Sequence, residues 1–214
     1  MKLQCPSCGG QQEPQLICRQ CGAPLPAELD CFAALALPRR LTIDPSALEE
    51  RYHELGRRVH PDRFASSAPR VRAASLAGTA LLTRSYRTLR DPASRGLYWL
   101  ELNGEKLAEN NKQVPPELAE TVFEVQEQLA ELRGAPAGRD GALRREVEAR
   151  RDELGASMDE LREKLAYNFA RWDESDGSDR AELVAELKSV LSKIAYLRTL
   201  IRDVDRELES PKAA

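Results

Sequence analysis

Four of the five cysteines lie near the start of the chain, Cys5 and Cys8 in "CPSCGG" and Cys18 and Cys21 in "CRQCGA". A Cys-x-x-Cys turn sets two sulfurs on one side of a tight loop. The glycine after each pair, Gly9 and Gly22, lets the backbone fold beneath them. Two such turns complete a tetrahedron of thiolates, so Cys5, Cys8, Cys18 and Cys21 are predicted to hold one structural Zn²⁺. A closed four-thiolate shell leaves no open position for a substrate, which argues against catalysis by this ion. The competing uses are a disulfide pair or a redox dithiol. A redox dithiol expects one Cys-x-x-Cys beside a βαβ pattern, and that pattern is absent. Cys31, in "DCFAALAL", stands outside the spacing and reads as a small buried residue at a helix start.

The second constellation is "RRVHPDRFASS", residues 57–67. One of only two histidines stands directly before a proline and an aspartate. Pro61 cannot continue a helix and biases His60 away from helical geometry. The proline stiffens a turn in which His60 and Asp62 have no evident internal partner. The other histidine, His53, has no ligand pattern around it and reads as a helix-surface residue.

These residues need elements to position them, and composition points to helices. The 214 residues are 42 % hydrophobic, 31 % charged and only 5 % aromatic, so cores must be built from Leu, Val and Ala. A net charge of −3 and a pI near 5.6 argue against a general binder of nucleic acid or anionic membrane, although a global average can conceal a local basic patch. No run approaches the roughly 18 apolar residues of a membrane span. The opening "MKLQCPSCGG" has neither the apolar core of a signal peptide nor an Arg-rich amphipathic stretch, so a reducing cytoplasm is the expected compartment.

"DCFAALAL" forms a short helix capped by Asp30 and ended by Pro38. Asp44-Pro45 starts the next, an N-cap aspartate with proline in the first helical position. There Leu48, Tyr52, Leu55 and Val59 make one apolar stripe, with Arg51, Arg57 and Arg58 off it and Arg63 beyond the turn. A second long helix is expected from about Val71 to Leu89, its apolar positions including Ala74, Ala77, Leu81, Tyr86 and Leu89. Asp91-Pro92 starts a short helix ended by Gly104, and residues 105–113 are polar enough for a linker.

The remainder reads as three helices: Val114 to about Leu132, residues 142–173, and a last one with the seam Leu183, Leu187, Leu191, Ile194, Leu197, Ile201, Val204 and Leu208. Short breaks make them an antiparallel bundle. In the first, Leu118, Val122, Val125, Leu129 and Leu132 should face the bundle. Glu120, Glu124, Glu127 and Glu131 fall on the opposite face with Phe123 at its edge, and Tyr196 sits off the seam of the last helix. An acidic stripe beside aromatics that the core does not claim suits a partner interface.

The segments "LEERYHELGRRVHPDRF" and "SYRTLRDPASRGLY", with the short helix before them, resemble a J domain. The resemblance implies docking on a DnaK-type chaperone ATPase through Arg51, Arg57, Arg58 and Arg63, with His60, Pro61 and Asp62 triggering ATP hydrolysis in that partner. Glu54 interrupts the basic face. The order of cysteine module, J domain and bundle, with "RGLYWLELNG" at the exit, resembles HscB-type co-chaperones of iron–sulfur cluster assembly. That implies a C-terminal bundle holding the cluster scaffold protein, here through Phe123, Glu124, Glu127, Glu131 and Tyr196. Beside this stripe the family carries large apolar residues where this chain has Ala119 and Glu120.

The expected fold is mainly α: a zinc-ribbon-like module (residues 1–26), a helical J domain (30–104) and a three-helix client-binding bundle (114–209). The first alternative is a general J-domain co-chaperone for unfolded clients, its zinc module aiding client binding. A nucleic-acid adaptor is disfavoured by the acidic pI and by the few basic residues near the knuckles, Lys2 and Arg19. An enzyme is disfavoured by the lack of a phosphate loop, an open metal site or a nucleophile paired with a base. Neither nucleic acid nor membrane is an expected partner.

Overall fold

The computed structural model describes residues 2–107, 114–136 and 140–209. The chain divides into two compact units, Met1–Tyr98 and Trp99–Ala214. Most of the expected linker, residues 108–113, and the centre of the glycine-rich break at 137–139 lie outside the described residues.

The first unit begins with two knuckles built alike. Strands β1 (Leu3–Gln4) and β2 (Gln11–Gln12) pair antiparallel around the first, and an Ile17–Pro24 bridge closes the second. In each, the leading cysteine donates its N–H five residues on, Cys5 to Gly10 at 2.9 Å and Cys18 to Ala23 at 2.8 Å. Gly9 and Gly22 both adopt φ of +73°, the left-handed region in which a Cβ is costly, so the glycines do what their place in the motif predicts.

Helix α1 (Cys31–Ala34) is capped by Asp30, whose Oδ1 accepts the Ala33 N–H at 2.8 Å. Phe32 is fully buried and stacks on Tyr98, while the Tyr98 hydroxyl accepts the Cys31 N–H at 2.9 Å. Helix α2 (Pro45–Val59) has the predicted start and stop, with Asp44 accepting from Ser46 and Ala47. A 3₁₀ turn over Pro61–Phe64 leads to α3 (Pro69–Arg90), and Asp91 caps α4 (Pro92–Leu102) through the Ser94 N–H.

The α3 core face differs from expectation. Buried are Val71, Ala74, Ser75, Gly78, Leu82, Ser85 and Leu89, whereas Ala77 is exposed and Leu81 and Tyr86 are half-buried. α3 packs against both α1 and α2. Small residues on its inner face permit that approach, and a stripe of small and hydroxylic residues is invisible to a hydrophobic-period reading.

In the second unit a 3₁₀ turn (Pro116–Leu118) precedes α5 (Ala119–Gly134), followed by α6 (Gly141–Glu174) and α7 (Arg180–Glu209). Arg151 pairs with Asp205 at 2.6 Å and Arg171 with Glu186 at 2.6 Å, so α6 and α7 run antiparallel. Glu117 with Lys193 and Arg133 with Glu207 set α5 parallel to α7. The α7 seam is wider than a single row: Val184, Val190 and Leu200 join it, while Ile201 and Leu208 are half-buried, because α7 faces both other helices. Trp99 meets Trp172 edge-on at 5.9 Å, and Lys188 pairs with Glu105 at 2.7 Å.

Candidate functional site

The four predicted thiols converge. The sulfurs of Cys5, Cys8, Cys18 and Cys21 lie within 4.8 Å of one another, with Cys5–Cys21 at 3.6 Å and Cys8–Cys18 at 3.8 Å. A tetrahedron with metal–sulfur bonds of about 2.3 Å has edges of about 3.8 Å, so the cage fits a tetrahedral ion of that size. Cys5 and Cys18 are buried and Cys8 and Cys21 exposed, which places the cage at the surface. Gln12 was not singled out by sequence: its Nε2 donates to Cys18 Sγ at 3.0 Å while its Oε1 accepts the Arg19 N–H at 3.0 Å. Burial pushes the Cys18 thiol up, but hydrogen bonds from the Cys21 backbone, Gln12 and the Gln20 backbone outweigh it and bring it down to about 6. Cys31 is buried and stands outside the cage.

The His-Pro-Asp turn is held from behind and open in front. His60 ends α2, and its Nδ1 accepts the Asp62 N–H at 3.3 Å, with an Asp62 carboxylate oxygen at 3.4 Å. That use of Nδ1 leaves Nε2 as the outward N–H donor of the neutral ring. The side chains of His60 and Asp62 are 54 % and 90 % exposed. Behind them, Ser75 Oγ donates to the Val59 carbonyl at 2.6 Å, while Thr79 Oγ1 donates to the Ser75 carbonyl at 2.9 Å and lies 3.4 Å from the same Val59 oxygen. Ser75 is fully buried, so the last carbonyl of α2 is fixed to α3. Tyr52 and Tyr86 stack at 4.2 Å and add a second tie between the helices. Neither Ser75 nor Thr79 was legible beforehand; the small-residue run "AASLAG" was the available sign of a close helix approach.

Among the four arginines beside the turn, the structure makes two classes. Glu54 accepts from Arg51 at 2.8 Å and Arg58 at 3.4 Å, and the Arg51 bond in particular holds its carboxyl below the usual range. Arg57 and Arg63 have no carboxylate partner among the described residues; Arg63 Nη1 reaches the Arg57 carbonyl at 3.4 Å. A groove of about 540 Å³ runs beside them, lined by His60, Arg57, Arg63 and Tyr52, and also by His53. His53 is thus a surface residue on the same groove as the turn, its ring 3.8 Å from Glu49.

On the bundle, Phe123 is 70 % exposed, and Glu120, Glu127 and Glu131 are exposed with it. Glu124 is half-buried and pairs with Arg150 of α6 at 3.2 Å, so one member of the acidic stripe also serves the bundle. Tyr196 is half-buried. The Glu117–Lys193 and Arg133–Glu207 pairs bracket both aromatics along α5 and α7.

A short helical hairpin closed by a His-Pro-Asp turn, in a chain that also carries a helical bundle, is the architecture of a J-domain co-chaperone. No protein-family model matches the chain. It is 35 % identical over 133 residues to the co-chaperone protein HscB homolog of Bordetella pertussis, spanning 62 % of this chain and 78 % of that one, and equally identical to that of Bordetella avium over 79 % of its length. The crystal structure of human co-chaperone protein HscB superimposes with a TM-score of 0.71 at 25 % identity, covering 95 % of this chain and 97 % of that one. Chaperone HscB from Vibrio cholerae shares the fold, with a TM-score of 0.60 at 24 % identity, over 83 % of this chain and 96 % of that one. The chain belongs to the HscB-type co-chaperone family. It is accordingly a co-chaperone and not an enzyme. No helix among the described residues is long and apolar enough to cross a membrane.

Proposed function

We propose that this co-chaperone brings an iron–sulfur cluster scaffold protein to a DnaK-type chaperone and stimulates ATP hydrolysis by that chaperone. The observation that carries the reading is the presentation of His60: exposed in front, with its backbone neighbour Val59 pinned by the buried Ser75 behind. A turn ordered before contact costs little entropy on docking. Arg57 and Arg63 supply free positive charge for an acidic chaperone surface, and Arg51 and Arg58 contribute through a cluster shared with Glu54. His60, Pro61 and Asp62 engage the chaperone in a hydrolysis-prone conformation and raise its population, so all of the bond-breaking chemistry stays in the partner.

The bundle supplies the second contact. Phe123, Glu124, Glu127, Glu131 and Tyr196 form the scaffold-binding surface, an aromatic anchor rimmed by acid. The ion held by Cys5, Cys8, Cys18 and Cys21 is Zn²⁺ in a structural role, since four thiolates at tetrahedral spacing suit it and leave no reactive position. The cytoplasm is the compartment in which these thiols and both partners would meet.

The test is single-turnover ATP hydrolysis by a DnaK-type chaperone with this protein, with and without an iron–sulfur scaffold, and with His60→Gln as control. Stimulation that requires His60 and rises further with scaffold is expected. Stimulation indifferent to scaffold would sink the cluster-transfer reading and leave a general co-chaperone; no stimulation would sink both.

A further inference from the structure

The net charge of −3 conceals a sharply basic helix. Between Arg63 and Arg90 the chain has six arginines and no aspartate or glutamate. Five of the six lie on α3: Arg70, Arg72, Arg84, Arg87 and Arg90. Arg72 reaches the Ser67 carbonyl and Arg90 the ring of Tyr86, but none of the five has a carboxylate partner among the described residues.

The cysteine module packs on this helix. Leu25 and Ala23 cluster with Cys5, Cys18 and Val71, and two hollows of about 700 Å³ and 560 Å³ lie along the junction. Both hollows are lined by Pro26 and Ala77, so they form one furrow. Its module side is apolar toward Arg84, with Leu16, Leu25 and Pro26, and carries Gln4 and Cys5 toward Arg70; its α3 side is Ala73, Ala77 and Leu81. Arg70 stands at one end and Arg84 at the other, and Glu28 on the connector is the one carboxylate in the lining. The two arginines are fourteen positions apart on the helix, about 21 Å at a rise of about 1.5 Å per residue.

We propose that this furrow docks an acidic amphipathic protein segment, with aliphatic side chains against Ala73, Ala77 and Leu81 and carboxylates paired with Arg70 and Arg84. An apolar floor with positive charge at its two ends matches a linear segment with the inverse pattern. A nucleic acid carries charge at every step and would meet the apolar floor and Glu28. A lipid surface is flat, whereas these arginines flank a recess. His60 and Asp62 do not line the furrow, although its Arg84 end adjoins a hollow beside Pro61, and the docking does not depend on the chaperone reading.

The probe is a fluorescein-labelled peptide of three leucines alternating with alanines, with two glutamates at each end, titrated by anisotropy into the metal-loaded full chain. Saturable binding is expected, weakened about tenfold or more by Arg70→Glu with Arg84→Glu, a loss equivalent to at least about 1.4 kcal/mol. Ala77→Glu, which blocks the floor at an exposed position, should weaken it similarly, and His60→Gln should leave it unchanged. Circular dichroism and metal content check that each variant is folded. Equal binding of a lysine-ended peptide, unchanged binding by the furrow variants, or no saturation by about 1 mM peptide overturns the proposal. So does binding of phosphatidylglycerol vesicles, but not the peptide, through the same arginines.

Discussion

Leu16 of the cysteine module lies against Gly78 of α3: a Cβ built on the glycine would stand 3.3 Å from the leucine Cδ1. Metal knuckle and helical hairpin therefore share a packing surface. At Gly78 an alanine gains about 1 kcal/mol of helix propensity and displaces one flexible methyl by a few tenths of an ångström. A leucine there must expel Leu16, at a cost of about 1–3 kcal/mol. Gly78→Leu is expected to speed amide exchange at Leu16, Ile17 and Leu25 while leaving α5–α7 unaffected. Unchanged exchange in the module would show that this packing does not hold it.

Metal removal should act on the same surface. Purified in reducing buffer, the protein is expected to carry about one zinc per chain. Chelation should loosen residues 2–26, and cobalt substitution should give thiolate charge-transfer bands. Cys5→Ser and Cys18→Ser, at the buried positions, should cost more metal affinity than Cys8→Ser and Cys21→Ser. A chain that stays fully ordered without metal would contradict the structural role.

His60→Gln and Ser75→Ala test presentation and support of the turn separately. His60→Gln should abolish chaperone stimulation with no change in stability, because its side chain is largely exposed. Ser75→Ala removes the short bond to the Val59 carbonyl and should cost about 1–2 kcal/mol of stability. Stimulation should then fall only partly, as Thr79 Oγ1, 3.4 Å from the same oxygen, can turn its proton to it from the carbonyl of residue 75. Full stimulation by Ser75→Ala would show that the turn does not need this anchor.

Asp30 gives the first unit a pH dependence. Burial raises its carboxyl, but the Ala33 N–H and the Arg39 guanidinium outweigh that and hold it below the ordinary range. A group depressed in the folded state stabilises above its unfolded value, about 3.9, and loses that contribution as pH falls through the folded value. Asp30→Ala should therefore lower stability by about 0.5–2 kcal/mol near pH 7, as for other N-caps, with the deficit shrinking in acid. Urea unfolding followed by far-ultraviolet circular dichroism at neutral and acid pH checks it. An equal deficit at both would remove charge as the cause.

Phe123→Ala with Tyr196→Ala should weaken scaffold binding by about 10- to 100-fold, the range for an interfacial aromatic anchor. The Phe123 change alone should leave unfolding nearly unaltered, since that ring is 70 % exposed. Calorimetric titration with an iron–sulfur scaffold reads the affinity. An unchanged value would remove this surface from the interface.

The parts legible beforehand were those with local causes. Asp44-Pro45 starts α2 and Pro61 ends it, because caps and proline act within a few residues. The left-handed glycines at 9 and 22 follow from the knuckle motif itself. On α3 the expected Ala74 and Leu89 are buried, but Ser75, Gly78 and Ser85 take the rest of the inner face because small side chains admit the neighbouring helices, and size is not written in a hydrophobic period.

By itself, the sequence determined the helices, the cysteine cage and the place of the His-Pro-Asp turn, since each depends on neighbours along the chain. Tertiary structure decided which side chains cooperate. Ser75 reaches Val59 across 16 residues, Gln12 reaches the Cys18 sulfur from a neighbouring strand, and Glu124 divides its charge between the exposed stripe and Arg150. Among the described residues Arg57 and Arg63 are left without a carboxylate while Arg51 and Arg58 share Glu54. Such pairings depend on distances across packed elements, and no period along one element encodes them.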